Sequence, residues 1–395
     1  MFKPLSSPTE SRAGWSKSAA YVRVWLGVGN AVLALALGSC SAGVSAPNPE
    51  SVAATDATTA TNRVVYVAYP GGVHVYGPRA IRLITTITGG VDEPSALAFD
   101  RFGTLYVANA GDNTVSGYAM GKSAPARRYT NGVAKPVDLA AEASLYVLNT
   151  KGTGSVTMYS RSTGRLRQTI TLGIHMPDEI AVDPSNNLYV ENNSRVGGSV
   201  TVYPPGAASP SRSLSFGSFS SVQVLGGVAV DSKGTLYVGD TYIGESGVGN
   251  SSSAVFEYPV GSSTPSRVLS PAAYSGGGYN AAVYKVEVDA ADNLYVSVWA
   301  CTLSSSSSYC GAPFHGAVVE FGVQGTKPIR VIGSLIFPGP MAVDKAGNLY
   351  VVDCTDPACA LNHSVMYVYA PGQTSPLRKL AIERTHYSIA LATAP

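Results

Sequence analysis

The chain has 395 residues and a formal net charge of +2, and only 13% of its residues are charged, against roughly a quarter in an average soluble protein. Without a basic stripe, an acidic tail or basic and aromatic interleaving, nucleic acid is excluded as a partner class and polybasic membrane docking has no support. Glycine, tyrosine and proline are plentiful instead, a composition that suits an exported β-rich protein.

Lys3, Arg12, Lys17 and Arg23 precede an apolar run from Val24 to Gly38. About fifteen residues at ~1.5 Å each fall short of a hydrocarbon core of ~30 Å, so residues 1–39 are expected to form an export signal. The run closes on Leu37-Gly38-Ser39-Cys40, which resembles the bacterial lipobox. That resemblance implies cleavage before Cys40 and acylation of the cysteine, palmitate included. The protein would then be held at the cell envelope by its lipid alone, in the outer membrane where the organism has one. Residues 40–62 show no apolar period and read as a flexible tether.

From residue 63 to 395 one pattern recurs. Asp344-Lys-Ala-Gly-Asn-Leu-Tyr-Val-Val-Asp353 has relatives at Asp100 to Asn109, Asp183 to Asn192, Asp231 to Asp240 and Asp289 to Val298, with reduced copies around Ser144 to Asn149 and Val65 to Tyr69. Each copy alternates with period two, is rich in β-branched and aromatic residues, and carries a turn signal between its strands. In the first full copy the strands are expected at Ala96–Phe99, Leu105–Ala108, Val115–Ala119 and Arg127–Thr130. The tyrosine of the Leu-Tyr-Val core falls at 66, 106, 146, 189, 237, 295 and 350, and seven four-stranded modules predict an all-β, seven-bladed β-propeller. The first module lacks its own first strand, and Tyr387 to Ala392 matches one, so the C-terminal strand is expected to complete the N-terminal blade. That register places Ala98, Ala140, Ala181, Ala229, Ala342 and Ala390 in one row, with Glu287 taking the same place in the fifth blade.

The copies resemble NHL-type propeller repeats, over about residues 63 to 395. The resemblance implies architecture more than activity, since such propellers host binding modules and enzymes alike.

The two faces of the disc differ in the sequence. Tyr118 and Arg127, Tyr203 and Arg212, Tyr258 and Arg267, Phe321 and Arg330, and Tyr369 and Arg378 all stand nine residues apart. We read these arginines as edge-protecting charges on the outermost strands. The span from second-strand tyrosine to third-strand aromatic, by contrast, grows from Tyr66–Tyr76 to Tyr295–Phe321. All growth is on one face, over blades four to six, where a rigid scaffold carries its binding residues. Cys301, Cys310, Cys354 and Cys359 lie in these loops, and an even number in an exported domain implies disulfides, with 301–310 and 354–359 preferred and pairing across blades open.

Asn109, Asn149, Asn192, Asp240 and Asp353 stand three residues after the repeat tyrosine. They are candidate binding residues with Glu287, and would form a centre for Ca²⁺ or another divalent cation if their oxygens converge, as in propeller lactonases. The competing reading makes them turn caps. Four of the five histidines, His175, His315, His363 and His386, fall on the same face, and His363 and His386 with Glu191 or Asp353 nearby are the candidate acid–base set. For Glu287 the expected partner is Lys285, the indole of Trp299 or a bound ion. The sequence therefore supports a monomeric binding or scaffold module for an extracytoplasmic protein, glycan or small molecule first, and a metal-dependent lactonase- or lyase-like enzyme second.

Overall fold

The structure, a computed structural model, describes residues 64–80, 82–194, 197–216, 222–243, 253–274, 280–303, 310–354, 363–383 and 391–393. The export signal, Cys40 and the tether therefore lie outside the described residues. No helix among the described residues is long and apolar enough to cross a membrane.

The described chain opens with β1 (Val65–Tyr69), β2 (Gly72–Tyr76) and β3 (Leu83–Ile87). Blade 1 follows as β4 (Pro94–Phe99), β5 (Leu105–Asn109), β6 (Thr114–Tyr118) and β7 (Arg127–Tyr129), and blade 2 as β8 (Pro136–Ala141), β9 (Leu145–Asn149), β10 (Ser155–Tyr159) and β11 (Leu166–Ile170). Blade 3 is β12 (Pro177–Val182), β13 (Leu188–Ser194), β14 (Gly197–Tyr203) and β15 (Arg212–Ser215); blade 4 is β16 (Val222–Val230), β17 (Leu236–Ile243), β18 (Ser253–Tyr258) and β19 (Arg267–Leu269). Blade 5 is β20 (Asn280–Val288), β21 (Leu294–Leu303), β22 (Cys310–Phe321) and β23 (Pro328–Leu335); blade 6 is β24 (Pro338–Val343), β25 (Leu349–Cys354), β26 (His363–Tyr369) and β27 (Arg378–Glu383). Finally β28 (Leu391–Thr393) pairs antiparallel with β1, giving blade 7 the order β28-β1-β2-β3. The result is the predicted seven-bladed propeller closed by its own C-terminal strand. Its register corrects one residue: Ala392, not Ala390, stands opposite Tyr66, because the closing strand pairs two residues later than the sequence pattern implied.

The repeat has a physical cause. Asp100 Oδ1 accepts the backbone N–H groups of Phe102 and Thr104, both at 2.9 Å, and its Oδ2 accepts the Tyr106 hydroxyl at 3.3 Å. Asp344 repeats this with Ala346, Asn348 and Tyr350, and Asp183, Asp231 and Asp289 likewise accept the tyrosine six residues on. One carboxylate thus closes the turn between first and second strands and satisfies the buried phenol behind it. The turn also needs a left-handed residue, supplied by Gly103, Gly234 and Gly347 at φ of 80°, 84° and 75°, and by Asn186 and Asp292 in blades 3 and 5.

Burial then follows the ring. Seven buried apolar clusters each join two adjacent blades, for example Tyr106, Val115 and Leu139 between blades 1 and 2, or Tyr66, Val73 and Tyr118 between blades 7 and 1. Among the described residues no blade keeps a core to itself, so the blades stabilise one another as neighbours.

Three of the five arginines at the start of the fourth strands have a role other than edge protection. Arg127 donates to the Ser162 carbonyl at 3.1 Å, Arg267 to Gly325 at 2.8 Å, and Arg330 to Ala370 and Gln373 at 2.9 and 3.0 Å. Each acceptor lies in the third-to-fourth-strand turn of the next blade, and Arg330 is only 6% exposed. These three side chains clasp neighbouring blades, which ties their position to that of the preceding aromatic.

Candidate functional site

Of the five predicted Asn and Asp positions, Asn109 and Asn149 end their second strands, while Asn192, Asp240 and Asp353 lie inside longer ones, and all are buried. Asn109 Oδ1 accepts the backbone N–H of Asp92 at 3.1 Å, and its amide donates to Gly90 and Thr114. Asn149 accepts from Ala134 at 2.8 Å and Asn192 from His175 at 2.9 Å, while their amides donate to Thr157 and Thr201. Asp353 accepts from Phe337 at 2.7 Å and from Ile336, and burial pushes its carboxyl up to about 6. In these four blades the side chain fastens the connection that enters its own blade, so its oxygens are committed to backbone. Among the described residues no group of three or more His, Cys, Asp or Glu is placed to hold a metal ion.

The polar side chains that do converge lie along the first strands, which line the central shaft. Two residues before the alanine row stand Asp138 in β8, Glu179 in β12 and Lys285 in β20. Lys285 Nζ forms an ion pair with Glu179 from two blades away, with side chains 27% and 16% exposed. Room for this pair comes from Gly227 of the intervening blade: a Cβ there would lie 2.8 Å from Glu179 Oε2 and 3.3 Å from the Val286 nitrogen. Asp138 accepts the N–H groups of Leu139 and Ile180, both at 2.8 Å, tying blade 2 to blade 3. Glu287 follows Lys285 by two residues, and Lys285 pulls its titration down against burial. Of the partners expected for Glu287, Lys285 acts on it through charge.

Glu191, opposite Glu179 in the β12–β13 pair, is 1% exposed. Its Oε1 accepts the Asn193 amide at 2.9 Å, and its Oε2 has no hydrogen-bond partner among the described residues. Asn193 in turn accepts the Leu225 N–H of blade 4 at 2.9 Å. Burial, reinforced by Asp178 and Glu179, holds the Glu191 carboxyl well above the usual carboxylate range. Burial likewise raises Asp138 to about 6 and Glu179 and Glu287 to about 7, with Lys285 opposing the shift in each case. For Lys285 itself desolvation favours the neutral amine, but Glu179, Asp138 and Glu287 outweigh it and hold the ammonium charged. Among the described residues the shaft thus sets the Lys285 ammonium among carboxyl groups that burial has raised above their ordinary range.

His363 opens β26 of blade 6, three blades round the ring from Glu191 in blade 3, so these two do not share a neighbourhood. His386 and Cys359 lie outside the described residues, as do the side chains of His363, Cys301 and Cys310. Cys354 ends β25 buried and is disulfide-bonded, its partner lying outside the described side chains. Sequence reasoning missed Asp138 and Glu179, although a signal existed: they break the small-residue pattern at the place where blade 1 has Ala96.

At the junction of blades 5 and 6 the Trp299 ring stacks on Phe337 at 4.7 Å, and Tyr284, 42% exposed, meets Phe337 edge-on at 6.0 Å. Tyr284 directly precedes Lys285, so this aromatic group adjoins the shaft residues in the same strand.

No protein-family model matches the sequence, and no curated relative does. Among solved structures, Kuenenia stuttgartiensis Hydrazine Synthase is similar with a TM-score of 0.52 at 17% identity, covering 69% of this chain and 76% of that chain. Likeness at that identity bears on the fold alone, and it agrees with the propeller architecture.

Proposed function

We propose that the chain is an exported protein, anchored at the cell envelope through acylated Cys40, whose propeller is a non-catalytic binding module for an extracytoplasmic protein, glycan or small molecule. The observation that carries this reading is the asymmetry of the variable face. β21 and β22 of blade 5 run to 10 and 12 residues, where β5 and β6 of blade 1 have 5 each. Beside that raised blade an exposed tyrosine leads into a stacked aromatic pair, and aromatic surface with a polar neighbourhood suits recognition of peptides and sugars. Disulfides 301–310 and 354–359 would stiffen this side.

Two experiments test the reading. A photocrosslinking amino acid replacing Tyr284 in the native envelope should trap a discrete adduct, while the same group at Val323, 43% exposed on the opposite face, should not. Adducts at neither site, with chelator-sensitive lactone hydrolysis by the purified protein, would favour the enzyme reading instead. Cys40→Ser should release the protein from membranes; retention would overturn the anchor.

A further inference from the structure

A cavity of about 350 Å³ opens on the opposite, constant face, between blades 1 and 2. Asp100, Phe102, Tyr106, Arg127, Tyr129 and Arg161 line it. Comparison of the repeats explains why it exists. The third-strand residue opposite the repeat tyrosine is Val75, Met158, Val202 and Val368 in blades 7, 2, 3 and 6, and Glu257 and Glu320 in blades 4 and 5. In blade 1 it is Gly117, opposite Tyr106. The backbone there does not require glycine: Gly117 is absent from the positive-φ positions, and a Cβ would meet Tyr106 at 3.4 Å and Tyr129 at 3.7 Å, ordinary contact distances. The missing side chain therefore leaves space that the other blades fill.

The missing group also leaves a charge. Glu257 pairs with Arg267 and Glu320 with Arg330 in blades 4 and 5. The blade 1 counterpart, Arg127, has no carboxylate partner among the described residues, and bonds only the Ser162 carbonyl. Asp100, the carboxylate in the cavity wall, is taken by Arg161 at 2.8 Å and by its own turn. Phe102 is 65% exposed at the rim, under the guanidinium of Arg161 at 5.1 Å, and the Tyr129 ring lies 6.2 Å from Tyr106. The cavity thus offers one cation without an anion, beside apolar and aromatic walls, at a volume suited to a small ligand.

We propose that this cavity binds a small organic carboxylate, whose anionic group takes the place against Arg127 that a blade's own glutamate holds in blades 4 and 5. The apolar body of the ligand lies against Tyr129 and Phe102, in the space left by Gly117. A charged pair with a guanidinium is the stronger kind of hydrogen-bonded contact, and the enclosing walls reduce its screening.

Benzoate, titrated into the purified protein by calorimetry with neutral benzamide as the control, tests this. Benzoate should bind, and benzamide at least tenfold more weakly. Gly117→Glu installs the carboxylate of blades 4 and 5, and should lose benzoate at least tenfold while melting no lower than the parent. Arg127→Gln, which keeps a donor for Ser162 but removes the charge, should lose the preference for benzoate over benzamide, so the inference stands or falls even if Gly117→Glu folds poorly. No benzoate binding by the parent, equal binding of benzamide, or undiminished binding by a folded Gly117→Glu protein would each overturn it.

Discussion

Lys285 is the residue on which the shaft's charge balance depends. Replacing it with Met leaves Glu179 enclosed without its cation and should cost ~3 kcal/mol, because stranding one member of an enclosed pair is costlier than never having made it. The double variant Lys285→Met with Glu179→Gln should recover most of that loss in chemical denaturation; equal loss in both would mean the pair is not coupled. The carboxyl groups set a pH dependence with a definite sign. Asp138, Glu179, Glu191 and Glu287 titrate higher in the folded protein than in the unfolded chain, so between about pH 4 and pH 7 the folded state holds more protons. Their contribution is greatest below about pH 4; that of Asp138, Glu179 and Glu287 is lost as pH rises to about 7, and that of Glu191 declines in the same direction. Asp100 and Asp292, lowered by hydrogen bonds and by Arg161 or Lys233, act oppositely and lose stability only as pH falls below about 4. The melting temperature should therefore fall by several degrees from about pH 5 to pH 8, and Glu191→Gln should flatten the slope. A melting temperature that climbs over that interval would contradict the charge states assigned to the shaft.

At the scale of the element, the turn carboxylate determines the repeat. Asp344→Ala removes the acceptor for two backbone N–H groups and leaves the Tyr350 hydroxyl buried without its partner, a loss of about 2–3 kcal/mol. Asp344→Asn keeps one acceptor oxygen and should cost less; reversed ranking in thermal melts would place the tyrosine's partner elsewhere. This motif was the most legible feature of the sequence, because its causes are local: the cap, the left-handed turn residue and the phenol all fall between Asp344 and Tyr350. What could not be read was any contact between elements far apart in the chain. Lys285 and Glu179 are 106 residues apart, and Arg330 and Gln373 are 43 apart, so no period in a single strand points from one to the other. The ring of Asn and Asp was legible as positions but not as directions, since a side chain at a strand end turns inward or back onto its loop according to the neighbouring connection.

The molecule as a whole depends on closure. Tyr66 opposite Ala392 and Val67 opposite Leu391 join the two ends of the chain, and without them β1 presents an unpaired strand edge. A chain lacking residues 391–395 should lose its single cooperative calorimetric transition and associate on size exclusion, whereas a monomer that melts like the parent would mean the ring does not need its last strand. Within the closed ring the shaft ties blades 2, 3 and 5 together by charge, while the long strands of blade 5 rise on the variable face. That division requires the Asn and Asp residues to be fasteners of loops and not ligands of a cation. The most direct measurement is the metal content of the purified protein, with its melting temperature taken with and without chelator. Fastening residues predict no stoichiometric cation and an unchanged melting temperature. A bound divalent ion whose removal lowers the melting point, and whose binding is lost in Asn109→Ala or Asn192→Ala, would contradict the account and return those residues to a catalytic centre.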